Sequence, residues 1–513
     1  MPYNLIPHSY LKSFEEKLKA KLQFFKKTNL KINLSVIKNV NSYINQELEK
    51  FILPSLALEI NIARLKNELN GKTAKDRYKN FFVKNYPVDE FIFSKYPKLK
   101  NLFEIFTNST IKSFYDCFEN IDADWKEIRK TFPDFKKAKS LCGVEIPING
   151  DRHHQGKQTL ILKFNNGFKL VYKPNPTNID GLLNFINKNL GKSSIQNIKL
   201  LNKNHYHYRL FLKKDNIVTT SKKVKEFYLQ AGKILCLSYI LNATDLHMDN
   251  IIVNKGKIYI LDNETFFHHF SFKNIPKTND IFLTNLLSNI KNKQKMGEIS
   301  GLQGGSKARL SLLTPFIENK ESDKIKVRYK TFSKFIPHNR IYLKNKLIEP
   351  KDHIKEIIDG FEKIYDFLKE NKKIMIDLIE KYINKSNSNL KARQIIRSTS
   401  IYEFFIQSLF QPKNLNNKNY HKYIEKQLKK GLGNNDKKVK KLVTYEVKEI
   451  LKLNIPYFYT DIAKTHLYDS EGNCYKHFFK KSAIDNLKEK MKHLSEKDKK
   501  LQIKKIRESL ATS

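Results

Sequence analysis

The chain has 513 residues, 40% of them hydrophobic and 12% aromatic, with a formal net charge of +44. That much apolar and aromatic content excludes a disordered chain, and the length allows several layers around large cores. No run of about 20 apolar residues offers a membrane span, and the first residues lack the apolar core of a signal peptide, so a cytoplasmic protein is expected.

Residues 1–140 read as helical. Stretches such as SYLKSFEEKLKAKLQFF (9–25) and SLALEINIARLKNELN (55–70) space their apolar residues by three and four. Next comes the loop GDRHHQG (150–156), then two predicted strands, Leu160–Phe164 and Phe168–Tyr172, around an Asn-Asn-Gly turn. Lys173 closes the second strand. An apolar run, AGKILCLSYIL (231–241), predicts a buried helix with Cys236 in the core. The segment NATDLHMDNIIVNKGKIYILDNETFF (242–267) reads as a loop and then a hairpin turning at Asn254, Lys255 and Gly256, with Asp262 after the strand Lys257–Leu261. Strands and a substrate loop are expected in KVRYKTFSKFIPHNRIYLKNK (326–346). From 353 onward the pattern is helical again, and Ser495 with Asp498 signals the cap of the last helix.

An aspartate, an asparagine and a second aspartate around one hairpin suit phosphoryl transfer. One carboxylate takes the proton of an incoming hydroxyl, while an amide oxygen and another carboxylate hold Mg²⁺ against phosphates. Asp245, Asn250 and Asp262 fill those positions. His247 lies between the first two, and the Asp-x-His-x-x-Asn spacing is that of lipid-type kinases. Lys173 supplies a compact cation for nucleotide phosphates from a strand end. The bland readings are a surface lysine, a turn asparagine and a loop histidine bonded to backbone; the order of the elements favours chemistry.

Read together, GD-x-H-x-x-G, VYKP, ATDLHMDNII and LDNET resemble the dehydratase domain of LanM-type (class II) lanthipeptide synthetases. IIDGFEKIYDFL (357–368) resembles a helix of that domain, ARQIIRSTSIYEFFIQSLFQP (392–412) its Arg-x-x-x-Arg-x-Thr-x-x-Tyr elimination motif, and EVKEILKLNIPYF (446–458) a nearby segment. The resemblance covers roughly residues 100–510 and implies an α+β fold with a lipid-kinase-like, two-lobed core. Its expected divisions are a helical region at 1–140, the kinase-like core at 141–295, an activation or substrate loop region at 296–352, and a helical region with the elimination motif at 353–513. It implies ATP and Mg²⁺ as cofactors, with Lys173, Asn250 and Asp262 binding them. Asp245 and His247 then serve phosphorylation of peptide Ser and Thr, and Asp151 and His153 belong to the same site. Arg393 and Thr399 form the elimination pair that yields dehydroalanine and dehydrobutyrine. Arginine suits this as a fork for phosphate oxygens. Arg393 and Arg397 are four apart and share a face if the segment is helical, with Arg397 a structural candidate. Glu264 either supports the site or is a solvated carboxylate.

Three departures touch local contacts: Asn175 where the family has Arg, Asp249 where it often has Glu, and Asn454 where it has Asp. SGLQGG (300–305) lies where the family has a Ser-x-Leu-Gly-Gly loop. The cysteines Cys117, Cys142, Cys236 and Cys474 are scattered, so no zinc, cyclase chemistry or disulfide framework is expected. The expected partners are a ribosomal precursor peptide with its leader and, as an option, a separate cyclase. Nucleic acid is not expected, because the positive charge is spread along the chain and no recognition motif accompanies it. Two alternatives remain open: a kinase of the same fold without elimination, acting on a peptide or small molecule, and a noncatalytic basic module that binds peptide or nucleic acid.

Overall fold

The computed structural model describes residues 8–23, 25, 28–147, 150–175, 178–190, 195–270, 280–289, 298–304, 313–331, 339–385, 390–432 and 437–511. The protein is α+β. The helical start holds α1 (His8–Leu22), α2 (Leu34–Leu65), α3 (Ala74–Lys84), α4 (Val88–Lys95), α5 (Pro97–Ala123) and α6 (Trp125–Thr131), with a two-residue strand, β1 (Lys31–Ile32), between the first two helices. A capping box at Thr73 and Asp76 starts α3. α5 presents Leu99, Leu102, Phe103, Phe106, Ile111, Phe114 and Phe118 to the core, the helical spacing its sequence shows.

β2 (Ser140–Glu145), β3 (Leu160–Phe164), β4 (Lys169–Lys173), β5 (Leu200–Asn202) and β6 (His207–Leu210) join β1 in a six-stranded sheet of order β1-β2-β3-β4-β6-β5. β1 and β2 are parallel, and the remaining pairs are antiparallel. The hairpin falls where expected, with β4 beginning one residue later than Phe168 and ending on Lys173. Between β4 and β5 lies α7 (Asn178–Asn189).

After β7 (Ile217–Val218), α8 (Ser221–Ile240) leads into the loop that carries Asp245, and β8 (Ile251–Asn254) and β9 (Lys257–Ile260) form its hairpin. Lys255 and Gly256 both have positive φ, 49° and 69°, the backbone a two-residue hairpin turn demands. β10 (Leu313–Glu318) pairs with β11 (Lys326–Thr331), and β12 (Tyr342–Leu343) lies between β7 and β13 (Lys346–Leu347). The expected loop region at 296–352 is seen only in part: residues 296–297, 305–312 (including Gly305 of SGLQGG) and 332–338 lie outside the described residues.

The C-terminal part comprises α9 (Ile354–Glu370), α10 (Lys372–Lys385), β14 (Lys391–Arg393), α11 (Thr399–Leu409), α12 (Pro412–Leu415), α13 (Tyr420–Lys430), α14 (Lys437–Leu451), β15 (Phe458–Asp461), β16 (Leu467–Asp469), β17 (Cys474–Tyr475), α15 (Ala483–Lys492) and α16 (Glu496–Ala511). Ser495 does cap α16, its hydroxyl accepting from the Asp498 N–H at 3.3 Å. The four-stranded sheet β14-β15-β16-β17 departs from the all-helical reading of this part. It also separates the two arginines of the elimination motif. Arg393 ends a strand, Arg397 precedes α11, and the shared helix face expected for them does not form.

Two apolar cores organise the chain. One joins α2, α5 and the six-stranded sheet to α11, α13 and α14. The other joins α7, α8, the β8–β9 hairpin, α9, α15 and α16. α8 and α9 cross at two glycines. A Cβ on Gly232 would lie 1.9 Å from the Ile357 carbonyl oxygen, and one on Gly360 would lie 2.1 Å from that of Leu229. Only glycine permits so close an approach, and it fixes the helix from which the Asp245 loop emerges.

Candidate functional site

The loop after α8 is built to hold its side chains. Asp245 has φ +62°, an uncommon backbone for a non-glycine residue, which the surrounding bonds sustain. The Asn250 amide donates to the Asp245 carbonyl oxygen at 2.8 Å, and the Asp249 N–H donates to His247 Nδ1 at 3.2 Å. A bond to Nδ1 as acceptor leaves His247 Nε2 3.9 Å from the Asp245 carboxylate. The glycine-rich segment SGLQG lies directly against this loop. The Met248 N–H donates to the Ile299 carbonyl at 2.9 Å, and a Cβ on Gly301 would stand 2.4 Å from the Leu246 carbonyl oxygen. Asn339 donates to the Gly301 and Gly304 carbonyls.

The hairpin then delivers Asp262. The Leu261 N–H donates to the Asn250 carbonyl at 2.8 Å, so Asn250 and Asp262 flank one end of the β8–β9 ladder. Lys173, at the end of β4, reaches Asp262 at 2.9 Å and the Leu261 carbonyl at 3.2 Å. Burial opposes the charge on Asp262, but the Lys173 ammonium outweighs it and holds the carboxyl down at about 2. Arg209, on β6, donates to the same Leu261 carbonyl at 2.7 Å and grips Asp180 of α7 with two bonds of 2.7 Å. Asn263 also donates to Asp180, at 2.8 Å. Opposite Lys173 in the sheet register stands His207. Its Nδ1 bonds the Asn175 carbonyl, and burial with the Arg209 and Lys173 charges keeps the ring neutral.

A second group of side chains closes on the first from the far end of the chain. The Arg393 guanidinium donates to Glu264 at 2.7 Å and to Asp151 at 3.2 Å, over the Tyr457 ring at 5.4 Å. Tyr457 donates its hydroxyl to the other Glu264 oxygen at 3.1 Å. Burial works against the Arg393 charge, yet Glu264, Asp151 and Asp245 together keep it firmly protonated. The same guanidinium acts on both Asp245 and Asp262, so the two groups share one electrostatic field. Asp245 is nonetheless pushed up by burial, with Asp151 and Asp262 adding to the push, which makes it a better proton acceptor than a solvated aspartate.

The GDRHHQG loop brings Asp151 and His153 to this cluster. His153 Nε2 is 3.9 Å from Asp151, its Nδ1 bonds the Ile455 carbonyl at 3.0 Å, and burial and the Arg393 charge lower its pKa. Arg152, between them, points the other way into the core. It lies over the Phe106 ring and donates to Thr110 at 2.8 Å and to the Phe106 carbonyl at 3.2 Å, tying the loop to α5. Asn454 supports the loop from beneath, accepting from the Gly156 N–H at 3.2 Å and donating to Glu449 at 3.2 Å.

The structure thus brings together Asp151, His153, Lys173, Asp245, His247, Asn250, Asp262 and Arg393. Glu264, whose role the sequence left open, is a direct partner of Arg393. Thr399 stands apart. It opens α11, half-buried, and no hydrogen bond among the described residues joins it to Arg393. Arg397 is locked elsewhere: it donates to Glu446 at 2.7 and 3.1 Å and to the Leu428 carbonyl at 2.7 Å, and Tyr402 donates to the same glutamate at 2.6 Å. Sequence reasoning passed over Tyr457, Arg209, Asp180 and His207. Tyr457 sat inside the NIPYF segment already singled out, whereas nothing local marks Asp180 or Arg209 as partners.

Away from this site, His154, Glu449 and Glu471 gather their ligand atoms within 4.8 Å of one another. Lys448 and Lys452 already balance those carboxylates, at 2.7 Å and 3.5 Å from Glu471. The four cysteines are free, and no described helix is long and apolar enough to cross a membrane.

Comparison with known proteins bears on this arrangement. The model of the domain of unknown function DUF4135 matches residues 96–461, from α5 to the end of β15. The chain belongs to the DUF4135 family. It is also similar to the lacticin 481/lactococcin biosynthesis protein LcnDR2 of Lactococcus lactis subsp. lactis, at 24% identity over 511 residues, 89% of this chain and 52% of that protein. The chain therefore spans about half the length of this relative. The two matches bear out the kinship with LanM-type synthetases that the motifs suggest.

Proposed function

We propose that this chain is a lanthipeptide dehydratase. It transfers phosphate from ATP to Ser and Thr side chains of a ribosomal precursor peptide and then eliminates that phosphate to leave dehydroalanine and dehydrobutyrine. The observation that carries this reading is the meeting of two charge groups, Lys173 with Asp262 and Arg393 with Glu264 and Asp151, in one field. A kinase needs only the first. A second, firmly charged arginine beside it suits a site that must also hold phosphate as a leaving group.

In the first step Asp245 accepts the proton of the incoming hydroxyl, a role supported by the raised basicity that burial gives it. Lys173 steadies the phosphates. The side chains present fit a divalent cation: Asp262 is ionised, and the Asn250 amide oxygen accepts no hydrogen bond among the described residues. Mg²⁺ held by Asn250 and Asp262 would neutralise charge on the phosphate oxygens. In the second step a base takes the α-proton, the C–H electron pair becomes the Cα–Cβ double bond, and the Cβ–O bond breaks to release inorganic phosphate. Arg393 receives that phosphate, with Thr399 at its side once peptide is bound. A lipid-kinase-like, two-lobed arrangement agrees with the two cores on either side of the Lys173–Asp262 pair. The dispersed positive charge suits a precursor with an acidic leader, and the cytoplasm is where such a peptide would be met.

The test is intact-mass analysis of a short, Ser/Thr-rich candidate precursor peptide co-expressed with this chain. Losses of roughly 18 Da per site are expected. Gains of roughly 80 Da that persist would mean a kinase without elimination, and an unchanged mass together with no ATP binding would mean a noncatalytic module.

A further inference from the structure

The peptide unit of Leu261 joins the two residues proposed to hold Mg²⁺. Its N–H donates to the Asn250 carbonyl at 2.8 Å, and its own carbonyl leads into Asp262. Two cations grip that carbonyl, Lys173 at 3.2 Å and Arg209 at 2.7 Å. Val171 faces Arg209 across the β4–β6 ladder and Lys173 faces His207, so both cations leave the same side of the six-stranded sheet.

Arg209 reaches further. Its second terminal nitrogen donates to both oxygens of Asp180, each at 2.7 Å, and Asp180 accepts from the Asn263 side-chain amide at 2.8 Å. Leu261 and Asn263 are the residues on either side of Asp262. One ion pair therefore holds the chain both before and after that carboxylate. Arg209, Asp180 and Asn263 are all buried. The pair also spans the two cores: β6 contributes Tyr208 to one, and α7 contributes Ile179, Leu182 and Ile186 to the other.

A buried ion pair adds little stability over apolar side chains of similar volume, because desolvation offsets its attraction. What it supplies is direction, since a planar guanidinium serves two acceptors in a fixed geometry. We propose that the Arg209–Asp180 pair positions the cation site, setting Asp262 against Asn250 so that both can hold Mg²⁺; this assignment rests on the dehydratase reading. The charge of Arg209 works in the same direction. Burial pushes the Asp262 carboxyl up, and Lys173, then Arg209 and Arg393, hold it ionised. Arg209 and Asp180 touch no substrate in this scheme and act through Leu261, Asp262 and Asn263.

The test is calorimetric titration of a non-hydrolysable ATP analogue into the full chain, in EDTA and at stepped Mg²⁺ concentrations. The wild type should bind more tightly as Mg²⁺ rises. Arg209→Met combined with Asp180→Leu replaces the pair by apolar side chains and should keep the fold, checked by denaturant unfolding. This double variant should need on the order of 10- to 100-fold more Mg²⁺ for the same gain, while its binding in EDTA stays as in the wild type. Asn263→Ala leaves the ion pair intact and should shift the Mg²⁺ requirement the same way by less; if the double variant does not fold, this variant decides. Arg209→Lys, which keeps the charge, should lie between the double variant and the wild type. A wild-type Mg²⁺ requirement in the folded variants overturns the proposal and leaves the dehydratase reading standing, as does an equal loss of affinity with and without Mg²⁺. A wild-type chain whose nucleotide binding gains nothing from Mg²⁺ overturns the cation site of that reading as well.

Discussion

Two arginines four residues apart, Arg393 half-buried and Arg397 buried, meet opposite fates in this fold. Arg397 spends its guanidinium on a single glutamate and one carbonyl, and Tyr402 completes that glutamate; every partner belongs to the helices around it. Arg393 divides its charge between Glu264 and Asp151, from two different loops, and influences Asp245 and Asp262 beyond them. The first is a closed node that fixes α11 against α14. The second is an open node whose carboxylates arrive from separate parts of the chain, as the proposed anion-holding role of Arg393 requires. Residue type does not separate these two arginines; the origin and sharing of their partners do.

Substitutions can break this contrast. The largest effect is expected from Asp262→Ala, which removes the partner of Lys173 and one proposed Mg²⁺ ligand. Phosphorylation should fall by on the order of 10³-fold or more, leaving the peptide at its unmodified mass. A dehydrated product from this variant would remove the metal assignment. Arg393→Ala should block the second step by roughly 10²–10³-fold, with phosphopeptide accumulating in the mass spectrum. Thr399→Ala should act in the same direction and less strongly, as a hydroxyl is the weaker phosphate partner.

At the closed node the readout is stability. Arg397→Ala strands Glu446 as a buried, uncompensated carboxylate, and about 3–5 kcal/mol of unfolding free energy should be lost in a denaturant titration. Replacing Arg397 and Glu446 together with Met and Leu should recover much of that loss. If instead Arg397→Ala keeps its stability and stalls elimination, the contrast between the two nodes is wrong.

The smallest expected effect concerns pH. Asp262 sits at about 2 in the folded chain, below its ordinary value of 3.8. A depressed carboxyl contributes stability above the unfolded value and loses it as pH falls through the folded one. Acid unfolding of Asp262→Asn should therefore be less steep than wild type between about pH 4 and 2. Identical acid limbs would mean that the Lys173 pair contributes nothing to folding.

Much of this site was legible because its turns are written in residue types. Asn-Asn-Gly and Asn-Lys-Gly each force a tight hairpin, and those hairpins place Lys173 and Asp262 at strand ends. The sheet that holds Arg393 was not legible. β14 and β16 have three residues each and β17 two, too few to show alternation, and β14 pairs with β15 across more than sixty residues. The spacing of Arg393 and Arg397 instead imitates a helix. Tyr457 and Glu264 could be quoted as motif members, but their contact with Arg393 depends on that long-range pairing, as does the bond from the Arg393 N–H to the Glu264 carbonyl.

The most direct test of the account is a time course of peptide mass with ATP and Mg²⁺, run in parallel on the wild-type chain and Arg393→Ala. In the wild type a transient species roughly 80 Da heavier should give way to one roughly 18 Da lighter than the starting peptide. In Arg393→Ala the heavier species should form and remain. Dehydration by Arg393→Ala at the wild-type rate would contradict the claim that this arginine carries the second step.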